Sequence, residues 1–342
     1  MMDISAFDFH LPEHLIAQTP LKNRTASKML VVNKSKGFLS HGLFTDLIHY
    51  VQEGDCIVLN DTKVLPARLY GVKEDTGARI EILLLREINH NRWEALVKPA
   101  KRVSVDTKIV FGDGKLVATC KQFGEQGIRI FDLSYEGNLT DVLDDLGEMP
   151  LPPYIKERLS DKERYQTHFA KKEGSSAAPT AGLHFTPEYL TKIKEKGVNI
   201  LYVTLHVGLG TFRPVTVSNI HEHKMHEEYY EISKETANIL NQAKEKGNKI
   251  FAIGTTVTRT LESNINKFGQ FKEDRDWTDI FIYPPYEFKG VDHLLTNFHL
   301  PKSTLLMLVS AFASRELILQ AYEEAILNNY RFFSFGDCML IL

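Results

Sequence analysis

Between about Pro66 and Ser134, apolar residues either alternate with polar ones or run together over strand lengths. The stretches ARIEILLL (78–85), RWEALV (92–97) and GIRIFDL (127–133) are the clearest. Gly71, Gly77, Gly112, Gly114, Gly124 and Gly127 punctuate them. Short strands separated by glycine turns at this spacing predict a small barrel or sandwich. From about Thr140 the pattern changes, and helices alternate with strands. Thr186-Pro187 predicts a helix start, because Thr caps and Pro suits the first turn. That helix runs to Lys196-Gly197, where Gly can stop it, and the apolar run Val198 to Val207 follows as a strand. The same grammar recurs from Ser233, through Lys246-Gly247, into Lys249 to Thr255. Two helix–glycine–strand units predict an α/β layer. Their shared KEKG is a common helix ending, not a repeat.

The N-terminal strands MLVV (29–32) and CIVLN (56–60) match the later α/β part better than the barrel. The predicted architecture is therefore an α/β main domain with an inserted small all-β, barrel-like domain. Residues 1–65 and 150–342 form the main domain and 66–149 the insertion. The proline-rich MPLPPY (149–154) acts as a stiff connector on the return.

A chain of 342 residues, 43% hydrophobic and 25% charged, suits a globular protein that needs no disulfide or metal for stability. The formal net charge of −3 gives no global support for a nucleic-acid partner. Local fields are another matter. Residues 151–200 carry nine Lys/Arg against six Asp/Glu. Lys98, Lys101 and Arg102 form a second small cluster. Solvated surface charge is the plain alternative for both. Cys56, Cys120 and Cys338 are far apart and form no C-x-x-C pair, which suits a reduced compartment. The N-terminus carries Asp3, Asp8, His10 and Glu13, unlike a signal peptide. The most apolar stretch, Leu305 to Ala313, is too short for a bilayer. A cytoplasmic location is the expectation.

Several segments could carry chemistry. GSSAAPTAGLHF (174–185) is small and Gly-rich and ends on a helix start, so backbone N–H groups there could meet an anion. An ordinary mobile loop would read the same way. TLHVGLGTFRP (204–214) follows a buried strand, where α/β proteins commonly place ligands. Arg213 stands at the third glycine position of G-x-G-x-x-G, which rejects a dinucleotide fingerprint. His206, beside Gly208, is either a ligand-facing imidazole or a strand-end packing residue. His221, His223 and His226 tempt a metal reading, but H-E-x-x-H is absent because position 225 is Met. The run FAIGTTVTRTLE (251–262) is strand, turn, then helix, and presents N–H and hydroxyl groups to an anion or simply caps with Thr. DIFIYPPY (279–286) and LTNFHLP (295–301) place aromatic and polar groups at strand ends.

Taken together, these segments are specific. The ordered motifs FHLPEHLIAQ (9–18), HGLFTDL (41–47), NDTKVLPARL (60–69), MPLPPYI (149–155), APTAGLHF (178–185) and VTLHVGLGTFRP (203–214) run through the first two thirds. GTT (254–256), Arg259, LES (261–263), DIFIYP (279–284), TNFHLP (296–301), MLVSAFA (307–313) and YRFFS (330–334) complete them. Over almost its full length the sequence resembles the S-adenosylmethionine:tRNA ribosyltransferase-isomerase family. Two departures, Val257-Thr258 for Ser-Val and His168-Phe169 for Val-Tyr, remove no ionisable group the chemistry needs.

The resemblance implies an α/β main domain with an inserted β-barrel, a monomer, and no metal. It implies that S-adenosylmethionine is consumed as ribosyl donor rather than held as cofactor. The acceptor would be 7-aminomethyl-7-deazaguanine in the wobble position of tRNA. Products would be epoxyqueuosine-tRNA, adenine and methionine. Such chemistry needs an acid and a base near neutrality. Of the 13 histidines, His206, His184 and His299 lie in motif segments and are the catalytic candidates, with the carboxylate Asp61. Thr180, Gly182, Gly208, Gly210, Thr211, Arg213, Thr255, Thr256 and Arg259 are the substrate-binding candidates. Lys98, Lys101, Arg102, Lys156, Arg158 and Arg164 are the candidates for tRNA contact. The competing readings are a metal-dependent hydrolase built on the three clustered histidines, and an RNA-binding module without catalysis.

Overall fold

The structure, a computed structural model, describes residues 2–124, 127–157, 159, 161–208, 215 and 217–342. Ten strands come first: β1 (Lys28–Asn33), β2 (Phe38–Leu43), β3 (Cys56–Asn60), β4 (Thr62–Val64), β5 (Arg68–Lys73), β6 (Arg79–Asn89), β7 (Arg92–Lys98), β8 (Lys108–Phe111), β9 (Leu116–Phe123) and β10 (Ile128–Tyr135). There follow α1 (Leu139–Leu146), β11 (Lys172–Ser175), α2 (Pro187–Glu195), β12 (Asn199–Leu205), β13 (Glu228–Ile232), α3 (Lys234–Glu245) and β14 (Ile250–Ile253). The chain ends with α4 (Thr255–Phe268), β15 (Asp274–Thr278), β16 (His293–Asn297), α5 (Thr304–Phe312), α6 (Arg315–Leu327) and β17 (Cys338–Ile341). Two compact units result. One is Met1–Thr62 with Pro153–Lys172 and Pro179–Leu342, and the other is Lys63–Pro152 with Glu173–Ala178.

The larger unit is an α/β layer around a nine-stranded sheet of order β15-β13-β12-β3-β14-β16-β17-β1-β2. Its middle strands, β12, β3, β14 and β16, run parallel. All five residues of β3 and all four of β14 are buried, as a sheet covered on both faces requires. Thr186 caps α2 by accepting from the Tyr189 N–H, with Pro187 at the first position, as the sequence predicts. Ser233 caps α3 in the same way. Because four neighbouring strands are parallel, their carboxyl ends lie along one edge, where Asn60-Asp61, Gly254, Leu205-His206 and Asn297 fall side by side. Ligands of open α/β sheets bind at such an edge.

The smaller unit is a closed barrel of six strands, β10-β7-β6-β5-β8-β9, all paired antiparallel. Alternation puts Ile80, Ile82, Leu84, Ile109, Phe111, Ala118 and Phe131 inside. Gly71 is required there, since a Cβ would stand 2.6 Å from the Phe111 ring. The unit also carries α1, which Asn138 caps and whose Leu143 is buried. No single helix among the described residues is long and apolar enough to cross a membrane.

Candidate active site

His206 follows the last residue of β12. Its backbone N–H donates to the Tyr229 carbonyl (2.9 Å), which holds it in register with β13. The imidazole lies over the Tyr229 ring, with centroids 5.8 Å apart and planes 20° from parallel. Its Nδ1 is 2.7 Å from the Thr62 hydroxyl. The ring is gripped on this nitrogen, and among the described residues Nε2 has no hydrogen bond. Burial lowers its pKa, partly opposed by Glu231. The group is therefore neutral near pH 7 and able to accept a proton.

Asp61 stands on the neighbouring strand end. Its carboxylate accepts from the Thr204 hydroxyl (2.6 Å), and its carbonyl accepts from the Lys171 (2.8 Å) and Lys172 (3.2 Å) N–H groups. Burial raises its pKa, against the Thr204 bond and the two lysine charges. Next to it, the Asn60 amide donates to the Leu205 carbonyl (3.0 Å) and to the Thr256 hydroxyl (3.2 Å). Asn60 thus ties the ends of β3 and β12 to the first turn of α4.

Gly254 ends β14 with φ +92° and leads into α4 without a side-chain cap. The expected capping by Thr is not what the turn does. The first-turn N–H groups of α4 are left for another acceptor. Arg259, on the second turn, is buried and paired with Glu228, whose other carboxylate oxygen accepts from the Gly208 N–H (2.9 Å). Two guanidinium nitrogens of Arg259, Nε and Nη2, are buried and have no hydrogen-bond partner among the described residues. Glu228 was missed by the sequence reading. The signal was there, because it occupies an inward position of the EYYEI alternation, where an apolar residue is expected.

The Gly-rich segment 174–185 is not a mobile loop. Residues Ser175 to Pro179 and Ala181 to Phe185 are buried, and Thr180 to His184 form a single 3-10 turn. Thr180 donates to Asn297 (3.2 Å) at the end of β16. Gly182 is small for packing rather than for ligand approach, since a Cβ would meet the Phe169 ring at 2.9 Å. His184 is enclosed: Nδ1 is 3.0 Å from Ser27, Nε2 is 3.5 Å from Asn297, and the ring stacks on Phe44 at 5.3 Å. Burial pushes its pKa down to about 4. His299 is likewise buried against Thr296 (3.0 Å), and burial pushes it down to about 3. Both are neutral and already committed, unlike His206.

Gly210, Thr211, Arg213 and Arg158 lie outside the described residues. Lys98, Lys101 and Arg102 are exposed on the barrel unit, at the end of β7 and the turn after it. Lys156 is exposed and paired with Glu13 (2.6 Å). Arg164 is half-buried and bonds the Leu21 and Lys22 carbonyls. The clustered histidines do not form a ligand set. His221 is 3.2 Å from the Tyr283 hydroxyl and His223 packs edge-on against Phe281. Among the described residues no group of three or more His, Cys, Asp or Glu could hold a metal ion.

The fold is that of an α/β enzyme, with polar side chains gathered across the ends of its parallel strands. A family model described as "Queuosine biosynthesis protein" matches residues 4–341. The chain belongs to this family. It is 59% identical over 341 residues to the S-adenosylmethionine:tRNA ribosyltransferase-isomerase of Staphylococcus saprophyticus, covering all of both chains. Against the protein of that name from Macrococcus caseolyticus it is 60% identical over 340 residues, covering 99% of this chain and all of the other. The crystal structure of an S-adenosylmethionine tRNA ribosyltransferase from Thermotoga maritima is 41% identical, covers 98% of this chain and all of that one, and superposes with a TM-score of 0.58.

Proposed function

We propose that the strand-end edge is where S-adenosylmethionine meets the modified base, with His206 as the proton-transfer group. The chain is a ribosyltransferase-isomerase. It transfers and isomerises the ribosyl moiety of S-adenosylmethionine onto 7-aminomethyl-7-deazaguanine at the tRNA wobble position. Epoxyqueuosine-tRNA, adenine and methionine are released. Family membership and full-length identity near 60% to enzymes of that name support this assignment. Substrates of this kind support a cytoplasmic location.

The chemistry fits the edge. A sulfonium acidifies the adjacent C5′ hydrogens, so a neutral base can remove one. Adenine leaves more readily once protonated. One imidazole, alternately base and acid, serves both demands if its exposed nitrogen faces the substrate. Asp61, raised by burial, is the carboxyl that would hold or exchange the second proton. Thr255, Thr256 and the start of α4 would hold a polar part of the donor. Arg259 and Gly208, linked through Glu228, would frame the same face.

The observation that carries the reading is the His206 ring at the end of β12, gripped by Thr62 and Tyr229, with no hydrogen bond at Nε2 among the described residues. Removing an acid–base group costs about 10²–10⁴-fold in rate. His206→Ala is expected to lose turnover by that order while still folding and binding tRNA. Lost thermal stability with near-normal turnover in the folded fraction would reduce His206 to packing and move the role to His184 or His299.

A further inference from the structure

The far end of the same edge holds positive charge that the reaction does not use. Three half-buried arginines, Arg24, Arg164 and Arg331, gather around the buried His184. A small recess opens between Arg24, Ser27, Arg164, His184 and Ser334. The charges of Arg24 and Arg331 both reach His184 and disfavour its protonation. Arg164 does the same to Arg24. None of the three forms an ion pair with a carboxylate among the described residues. Asp161, Glu163 and Asp337 offset part of the charge from further away.

Their bonds go instead to backbone carbonyls. Arg24 donates to Gln166 (2.9 Å) and Glu163 (3.1 Å), Arg164 to Leu21 and Lys22, and Arg331 to Thr19. Those bonds aim the guanidinium forks and neutralise nothing. Among the described residues, Arg164 Nε and Arg331 Nη1 are buried and without a hydrogen-bond partner. Like charges held together without a carboxylate partner, two of them lining the recess, make a site for an anion.

We propose that this recess binds a phosphodiester of the substrate tRNA, close to the nucleotide being modified. The proposal rests on tRNA being the acceptor. The recess measures about 20 Å³, and about 10–15 Å³ suffices for one water. It therefore takes one non-bridging oxygen, while the rest of the group stays at an open mouth, as a continuing chain requires. The site is joined to the strand ends by hydrogen bonds between Ser27 and His184 Nδ1 (3.0 Å), from the Asn297 amide to His184 Nε2 (3.5 Å) and from the Thr180 hydroxyl to Asn297 (3.2 Å). A protein of net charge −3 has to hold a polyanion through such local clusters.

The test is tRNA binding against salt for wild type, Arg24→Gln/Arg164→Gln and Arg24→Lys/Arg164→Lys, with thermal melts of each. The Gln pair is expected to weaken tRNA binding about tenfold and to flatten the log K against log salt slope by about 0.7, the loss of one single-strand phosphate contact. The Lys pair should keep the slope, because it keeps the charge. S-adenosylmethionine affinity should not change. Unchanged tRNA affinity in a folded Gln pair overturns the proposal. Equal losses of stability and binding in the Gln and Lys pairs also overturn it, since the arginines then only staple loops. Weakened S-adenosylmethionine binding with intact tRNA binding would assign the anion to the donor's carboxylate instead. Adenine release by the wild type on the same tRNA separates failure of this site from failure of the assigned reaction.

Discussion

Glu228 joins residues that the sequence leaves far apart. One carboxylate oxygen holds the Gly208 N–H beside the proposed base, and the other holds Arg259 on α4. Both charged groups are buried. Removing one partner of a buried pair costs about 3–5 kcal/mol, because the other charge is left uncompensated. Glu228→Gln is therefore expected to lower stability by that amount in denaturant titration. A Glu228→Leu/Arg259→Met double variant removes both charges and should be more stable than either single. If the pair serves only stability, that double variant recovers turnover along with its fold. The expected outcome is a recovered fold with turnover still impaired, since the double variant also removes the guanidinium and the Gly208 anchor that frame the strand-end face.

At the level of elements, the decisive turn is β14 into α4. Gly254 sits at φ +92° and ψ 158°, a region essentially closed to other residues. Gly254→Ala is expected to cost about 1–3 kcal/mol in strain. It should also reduce turnover in the folded fraction, because the turn aims the first N–H groups of α4. Normal turnover with only lower stability would remove that turn from the site. This element was legible in the sequence as strand, glycine and helix, as were α2, α3 and the barrel strands, because period and capping residues are local signals. The long-range links were not. Thr62 and His206 are 144 positions apart, and Asn60 and Thr256 are 196 apart. Only strand order brings them together, and no local pattern encodes strand order. The glycine-rich 174–185 segment misled for the opposite reason, since small residues serve tight packing and mobile loops alike.

Across the whole molecule, buried neutral histidines tie stability to pH. Burial pushes His184 and His293 down to about 4 and His299 to about 3. Unfolded, each would titrate near 6.5. Their contribution is therefore full above pH 6.5 and is lost as pH falls toward the folded values. Each group adds up to about 1.4 kcal/mol per pH unit to the slope in that window. The raised carboxyls of Asp61, Glu262 and Asp337 act in the opposite sense. Melting temperature is expected to fall from pH 6.5 to 5, and His299→Gln should flatten the fall by one proton. A flat profile would contradict neutral burial of these rings.

The central claim is that S-adenosylmethionine gives up its ribosyl group and not its methyl group. The measurement is product analysis after incubating the protein with S-adenosylmethionine and tRNA carrying 7-aminomethyl-7-deazaguanine. Adenine and methionine should form in equal amounts, with epoxyqueuosine in the tRNA, and neither should form without that tRNA. S-adenosylhomocysteine as the main product would show methyl transfer and contradict the account.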